Sequence, residues 1–318
     1  MGEPVVLGLD FGGTKIAAAV ADLEGRRLSE TVLPTRPERG ARWNLEQGVA
    51  QAQELAARVS GELRAVCACT FGIPSADGVE LAPAIDGWGD LPLGRVLRGA
   101  FDGAEVRLAT DVKAAAEAEA RFGALCGVDP AVYLNLGTGL AAALVHRGEV
   151  VGGAHGAAGE IGYSLRRPSD VGRAGASILE DAVSGMALAA LAGARTGEPR
   201  TAADVFRGVA ADGRLARLVD EFVAELGFHL VNLAVAIDPE LIAVGGGIVR
   251  SWDAIEAPLR AALDAHVPYP PDLVVGAFPY DAPLVGALAL AADAARGGRS
   301  VLDLQSDARS VDRGRSRG

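Results

Sequence analysis

Two segments of this 318-residue chain follow one plan: an apolar run, a glycine and threonine turn, and a second apolar run. In the first, Val5 to Asp10 leads through Phe11-Gly12-Gly13-Thr14-Lys15 into Ile16 to Val20, and the turn signal Asp22-Leu23-Glu24-Gly25 follows. In the second, Ala131 to Leu136 leads through Gly137-Thr138-Gly139 into Leu140 to Val145, before Arg147-Gly148-Glu149. Short apolar runs bounded by glycine-rich turns read as β-hairpins. A hairpin that recurs in this way predicts duplication: two α/β halves facing each other across a cleft, with equivalent turns pointing inward. The length suits that reading, at roughly 100 to 200 residues per domain.

Between and after the hairpins the pattern alternates. Leu45 to Leu63 carries apolar residues at helical spacing, Ala65 to Phe71 reads as a buried strand, and Val106 to Ala109 as a short strand. Val112 to Phe122 is an alanine-rich helix, which puts Asp111 at a strand-to-helix junction. Leu215 to Val235 predicts a long amphipathic helix, Leu241 to Val244 a strand entering Gly245-Gly246-Gly247, and a further helix starts near Asp253. From Gly297 onward the chain is polar and aperiodic, the composition of a disordered tail. The expected organisation is a small α/β domain over 1–115, a large one over 116–296 whose last helix is free to pack on the small domain, and a tail over 297–318.

Composition narrows the function. Half of the residues are hydrophobic, yet no stretch approaches the ~18 to 20 consecutive apolar residues of a membrane helix. A net charge of -11 speaks against nucleic acid as a partner, because phosphate backbones are held by clustered Lys and Arg. With no signal-type segment ahead of the first strand, the expected location is cytoplasmic. Cys67, Cys69 and Cys126 are too few, and odd in number, for a disulfide framework, and are expected as buried small hydrophobes.

The glycine-rich turns at Gly12-Gly13-Thr14, Gly137-Thr138-Gly139 and Gly245-Gly246-Gly247 follow predicted strands, where small residues let backbone amides approach a phosphate or nucleoside. Ordinary turn geometry explains any one alone, and they match neither a Walker loop nor a dinucleotide fingerprint. In order and with their flanks they are specific. Leu7-Gly8-Leu9-Asp10-Phe11-Gly12-Gly13-Thr14-Lys15 resembles the first phosphate motif of the ROK family, within the actin-like sugar kinase superfamily. The resemblance continues through Gly72-Ile73-Pro74, Asp86-Gly87-Trp88, Asp111 with Ala114-Ala115-Ala116, and Gly137-Thr138-Gly139. Gly156 to Gly162, Leu179-Glu180 with Ser184-Gly185, and Gly245-Gly246-Gly247 complete it in family order.

The resemblance implies two actin-like, ribonuclease H-like α/β domains and an ATP-dependent kinase acting on a sugar or cyclitol. By position it assigns Gly12, Gly13, Thr14, Lys15 and Gly137, Thr138 and Gly139 to ATP, and Gly245, Gly246 and Gly247 to the adenosine end. Asp10 would help place Mg²⁺, through water. Asp111 matches the catalytic aspartate: a carboxylate that orients the acceptor hydroxyl in line with the γ-phosphate and takes its proton. Taken alone, an Asp before an alanine-rich helix is an N-cap. Glu160 and Glu180 resemble glutamates that bind sugar hydroxyls, each carboxylate accepting from a diol; Glu180, read as helical, has the alternative of a solvated face.

The chain also departs from its relatives. Glu160-Ile161-Gly162-Tyr163 stands where many members have a His that joins a three-cysteine zinc site, and Asp170 to Glu180 contains no cysteine, so no zinc site is expected. Arg166, Arg167, Asp170 and Arg173 are candidates for polar support instead. Near the sugar, Ala84 precedes Asp86-Gly87-Trp88 and Thr110 precedes Asp111, where the family usually has amide side chains. Asp86, Gly87, Thr110 and Tyr163 thus complete the candidate substrate residues. A gap that keeps an acid and loses amides suits an ammonium group, which favours a 3-amino sugar such as kanosamine. A C7-cyclitol of the valienone type and glucose are the alternatives, and Asp86 as a plain loop acid is the competing view. A sugar-responsive repressor is a distant alternative, since the first motif begins at about Leu7, and a silent sugar-binding protein is a third. The oligomeric state stays open, with a homodimer among the alternatives.

Overall fold

Strands β1 (Pro4–Phe11) and β2 (Lys15–Asp22) form the first hairpin, antiparallel, with Asp10 opposite Ala17 and Phe11 opposite Ile16. Both are buried on both faces along nearly their whole length, which is why their sequences run apolar without alternating. The outer strand β3 (Arg27–Pro34) alternates in exposure. The structure, a computed structural model, describes residues 2–75 and 77–298; the expected tail lies outside them from residue 299 on.

Helix α1 (Gly40–Arg58) follows, then β4 (Glu62–Thr70), parallel to β1. The helix expected over Leu45 to Leu63 therefore starts earlier and stops sooner, because Val59 is extended and Glu62 already pairs with Pro4. A small hairpin of β5 (Ile73–Pro74) and β6 (Val79–Glu80), then α2 (Leu93–Ala100), lead to β7 (Glu105–Thr110), parallel to β4. The sheet order is β3-β2-β1-β4-β7. One face carries Leu45, Val49 and Leu55 of α1 with Trp88, Leu93 and Leu97. Helix α3 (Asp111–Phe122) starts directly where β7 ends.

The second hairpin is β8 (Ala131–Leu136) with β9 (Leu140–His146), and a two-residue strand β10 (Glu149–Val150) comes next. Helices α4 (Gly185–Thr196), α5 (Ala202–Gly208) and α6 (Gly213–Ile237) precede β11 (Leu241–Gly245), which lies parallel to β8. Helix α7 (Trp252–His266) and β12 (Asp272–Val275), parallel to β11, follow. The order β9-β8-β11-β12 repeats β2-β1-β4-β7, an antiparallel hairpin continued by parallel strands. Leu188, Phe206, Phe222, Leu226, Leu230 and Leu259 build the core beside this second sheet.

The last helix, α8 (Ala282–Ala295), packs on β1, β4, β7 and β2 through Leu284, Ala287, Leu288 and Ala291. Close approach depends on glycine at two places. A Cβ on Gly8 would sit 3.0 Å from Leu288 Cγ, and one on Gly286 only 1.7 Å from the carbonyl oxygen of Ala114 in α3. The described residues divide into two compact units: 2–118 with Glu149–Ala158 and 281–298, and Glu119–Gly148 with Gly159–Tyr280. The large domain was drawn over 116–296 with its last helix free to pack on the small one, and α8 groups with the first sheet.

Among the described residues no helix is long and apolar enough to cross a membrane. Cys67 and Cys69 are buried in β4, but Cys126 is exposed in the turns after α3, against the expectation of three buried cysteines.

Candidate active site

In the first unit, parallel register gathers the predicted residues at one end of the sheet. Asp10 pairs with Cys69, and Thr70 pairs with Thr110. The ends of β1, β4 and β7 therefore present Asp10, Thr70 and the Thr110-Asp111 junction together, at the carboxyl edge where open α/β sheets hold ligands. Asp10 is 5% exposed, and burial lifts its carboxyl to about 6 although Lys15 and the Cys69 thiol pull it down. Three acceptors surround the single proton of the Cys69 thiol: Leu9 O at 3.2 Å, Pro283 O at 3.5 Å and Asp10 Oδ1 at 3.7 Å from Sγ. Burial, then Asp10, Cys67 and Asp111, push that thiol up.

Thr35 fixes the Gly12-Gly13-Thr14 turn from outside. Its hydroxyl donates to Gly12 O at 2.7 Å, its N–H donates to Thr14 O at 3.0 Å, and the Gly12 N–H donates to Lys15 O at 2.9 Å. At the start of α3, Asp111 Oδ1 accepts from Val112 N–H at 2.9 Å, while the buried Thr110 hydroxyl accepts from Lys113 N–H at 3.2 Å. The cap three residues into the helix is thus supplied by Thr110, not by Asp111. Trp88 is 1% exposed; its indole N–H donates to Thr70 Oγ1 at 2.9 Å, and its ring lies 5.0 Å from Phe71 and 5.6 Å from Phe11. This anchor leaves Asp86 and Gly87 exposed beside it, with Gly87 at φ 75°.

In the second unit, β8 and β11 lie side by side with Asn135 opposite Gly245, so their glycine turns are neighbours. The Asn135 amide fills the space between them: a Cβ on Gly137 would lie 3.2 Å from its Nδ2, and one on Gly246 would lie 2.8 Å from its Oδ1. Gly246 also has φ 94°, and a Cβ on Gly245 would meet Tyr133 Oη at 2.1 Å. The first turn of α4 braces the other side, with Gly185 N–H on Gly137 O at 2.9 Å and Met186 N–H on Thr138 O at 3.2 Å. Ser184 caps that helix by accepting from Ala187 N–H at 3.0 Å.

Glu160, Tyr163 and Glu180 are also brought together in the second unit. Gly159, at φ 86°, runs so close to β9 that a Cβ would be 2.1 Å from Ala142 O, and its carbonyl accepts from Ala142 N–H at 2.8 Å. Leu179 N–H on Ser164 O at 2.9 Å and a bridge between Leu165 and Ile178 join the segments that carry the three residues. Burial, Glu180 and Glu160 push the half-exposed Tyr163 phenol up. Glu180 lies on a 3-10 turn, Leu179–Asp181, and not on the helix expected, since α4 begins only at Gly185. Its Oε2 accepts from Leu140 N–H at 2.7 Å.

Where relatives were expected to carry zinc, charged side chains are joined. Arg166 pairs two-pronged with Glu225 of α6, Nη2 to Oε2 at 2.7 Å, and its Nη1 donates to Ser177 Oγ at 3.2 Å. Ser177 donates to Asp181 Oδ2 at 3.0 Å, and Arg173 stands 3.6 Å from Asp170. Arg167 is exposed and joins no ion pair among the described residues. No group of three or more His, Cys, Asp or Glu among the described residues could hold a metal ion.

A sequence profile of the ROK family matches residues 6–294. The chain belongs to the ROK family. This ROK chain is 34% identical over 293 residues to the bifunctional enzyme NanE/NanK of Brucella melitensis, covering 90% of itself but 54% of that protein, so it spans about half the length of that curated relative. It is 31% identical over 280 residues to the glucokinase of Streptomyces coelicolor, covering 80% and 86% of the two chains. Among solved structures it resembles a ROK glucokinase from Streptomyces griseus in complex with glucose and AMPPNP, with a TM-score of 0.76, 29% identity, and 92% and 100% of the chains covered. The ROK hexokinase of Thermus thermophilus matches with a TM-score of 0.72, 31% identity and the same coverage. Both place this ROK chain in the actin-like ATPase fold.

Thr35, Thr70, Asn135 and the Leu140 amide escaped the sequence reading. None carries a motif, and each acts through a contact set only by strand register or by a distant segment.

Proposed function

We propose that this chain is a kinase that transfers the γ-phosphoryl group of ATP to the primary hydroxyl of a hexose-like sugar. The observation that carries this reading is the carboxyl edge of β1, β4 and β7, where Asp10, the Gly12 to Thr14 turn and Asp111 stand together. In that assignment Asp111 orients the acceptor hydroxyl and takes its proton as the new P–O bond forms, while the bond from the γ-phosphorus to the β,γ-bridging oxygen breaks and ADP leaves with that oxygen. Thr110 takes the Lys113 N–H, so that amide does not draw on Asp111, whose Oδ1 accepts from Val112 N–H.

Gly12, Gly13, Thr14 and Lys15 in the first unit, and Gly137, Thr138 and Gly139 in the second, are assigned to the phosphates. Gly245, Gly246 and Gly247 take the adenosine end. The fit is steric: at Gly246 a Cβ would stand 2.5 Å from the Leu136 carbonyl and at Gly137 it would be tight against the Asn135 amide at 3.2 Å, so bare backbone is favoured where a nucleotide would meet these turns. Mg²⁺ would be held beside Asp10 through water, neutralising phosphate charge. With no cluster of three acidic or imidazole side chains among the described residues, its remaining oxygens would come from water and phosphate, which suits that ion.

Glu160, Tyr163 and Glu180, with Asp86, Gly87 and Thr110, are assigned to the sugar. Acids outnumber amides in this set, which supports an amino sugar of the kanosamine type; a valienone-type cyclitol and glucose remain the alternatives, the last supported by the glucokinases among the relatives. The test is a coupled assay of ADP release over glucose, glucosamine, kanosamine, N-acetylmannosamine and valienone-type cyclitols. Sugar-dependent turnover with kanosamine ahead is expected. Preference for a neutral cyclitol would remove the amino-sugar assignment, and no turnover on any of them would remove the kinase.

A further inference from the structure

We infer that Glu180 is a positioning residue for the Gly137 to Gly139 turn, beyond any part it has in holding sugar; the inference rests on that turn being a phosphate site, as proposed above. A side chain that only waited for a sugar would be free to leave its neighbours. Glu180 is not placed in that way. Its Oε2 accepts from Leu140 N–H at 2.7 Å, at the residue where the turn re-enters β9. The same oxygen would lie 2.5 Å from a Cβ on Gly139. The carboxylate is therefore packed into a slot that glycine at 139 keeps open.

The contact belongs to a larger grip. The stretch from Leu179 to Met186 holds the turn at three successive points: Glu180 at Leu140, Gly185 N–H at Gly137 O and Met186 N–H at Thr138 O. The last two are backbone contacts and persist in any side-chain variant. The first depends on the carboxylate alone. A hydrogen bond to a charged acceptor is strong, and a buried amide left without one costs its full desolvation. Loss of Glu180 therefore frees the C-terminal side of the turn while its N-terminal side stays braced. The Tyr163 phenol feels the Glu180 charge, so the carboxylate also faces the side assigned to sugar. One group thus has two tasks, and substitution separates them, because a Gln carbonyl can still accept from Leu140 N–H while the charge is gone.

The test measures binding of a non-hydrolysable ATP analogue by calorimetry with no sugar present, in the wild type, Glu180→Ala, Glu180→Gln and Glu160→Ala. The expected result is a loss of roughly tenfold or more in nucleotide affinity for Glu180→Ala, at the low end for a hydrogen bond to a charged group. Glu180→Gln should stay close to wild type, and Glu160→Ala should be unchanged. Nucleotide affinity equal to wild type in Glu180→Ala would overturn the inference, as would equal losses in Glu180→Ala and Glu180→Gln. If Glu180→Ala fails to fold, the Gln variant decides: retained nucleotide affinity with weakened sugar binding supports the separation of tasks, and parallel losses refute it. A wild-type chain that binds no nucleotide would instead refute the kinase reading, and the inference with it.

Discussion

Replacing Gly286 by alanine tests whether α8 sets the position of the helix that carries Asp111. The added Cβ would stand 1.7 Å from Ala114 O and 2.4 Å from Ala114 C, main-chain atoms that cannot rotate away. Ordinary contact begins at 3.4 Å, so the two helices must part by about half that distance. Overpacking against backbone of this depth belongs near the upper end of ~1 to 3 kcal/mol. Alanine returns up to about 1 kcal/mol through helix propensity, leaving a net loss of ~2 kcal/mol. At roughly 2 to 4 °C per kcal/mol, thermal unfolding should come ~4 to 8 °C earlier. Ala114 lies in the first turn of α3, so the displacement reaches Asp111, and about an ångström of misplacement can cost ~10²-fold in turnover. Gly99 is the control: it lies in α2 with nothing within 4 Å of its would-be Cβ, so Gly99→Ala should be neutral or stabilise by up to about 1 kcal/mol. Melting curves and steady-state kinetics of both variants decide the matter. A Gly286→Ala protein with wild-type melting and turnover would show that this helix contact does not position the site.

Three further outcomes are expected. Asp111→Asn should lower turnover by roughly 10² to 10⁴ with nucleotide affinity intact in calorimetry, and more than a tenth of wild-type turnover would remove Asp111 from the role of base. Elemental analysis of the purified protein should find no stoichiometric zinc, because 170–180 contains no cysteine; one zinc per chain would contradict the reading of that segment. Asp86→Asn should reduce kcat/KM for kanosamine by ~1.5 to 3 kcal/mol and much less for glucose, and equal losses on both sugars would reduce Asp86 to a residue that shapes its loop.

Both hairpins were readable in the sequence because their strands are apolar throughout and their turns are glycine-rich. The junction at Asp111 was readable because a short apolar run ends where an alanine-rich helix starts. Helix α8 was expected only as a last helix free to pack on the small domain, with no contact residues named. Ala282–Ala295 is apolar nearly all round, so no face stands out, and its place on the first sheet follows from small residues in strands far away in sequence. The 3-10 turn under Glu180 was mistaken for helix because Leu179-Glu180 lies only a few residues before Ser184, the true cap of α4. The hold of Glu180 on Leu140 joins residues 40 apart, a separation at which no local pattern survives. Cys126 was expected inside on the usual habit of cysteine, but it lies exposed in a turn between Gly123 and Gly127.

That difference among the cysteines makes the chain its own reporter. Cys126 is exposed and open to thiol reagents in the native state, whereas Cys67 and Cys69 are both 0% exposed on β4, an inner strand between β1 and β7. A reagent added in excess should therefore modify one position at once and two more only when the first sheet opens. Under native conditions the slow phase reads how often that sheet is breached, a local opening free energy and not a global melting point. Followed with and without nucleotide or sugar, the same clock records which ligand tightens the sheet that carries Asp10.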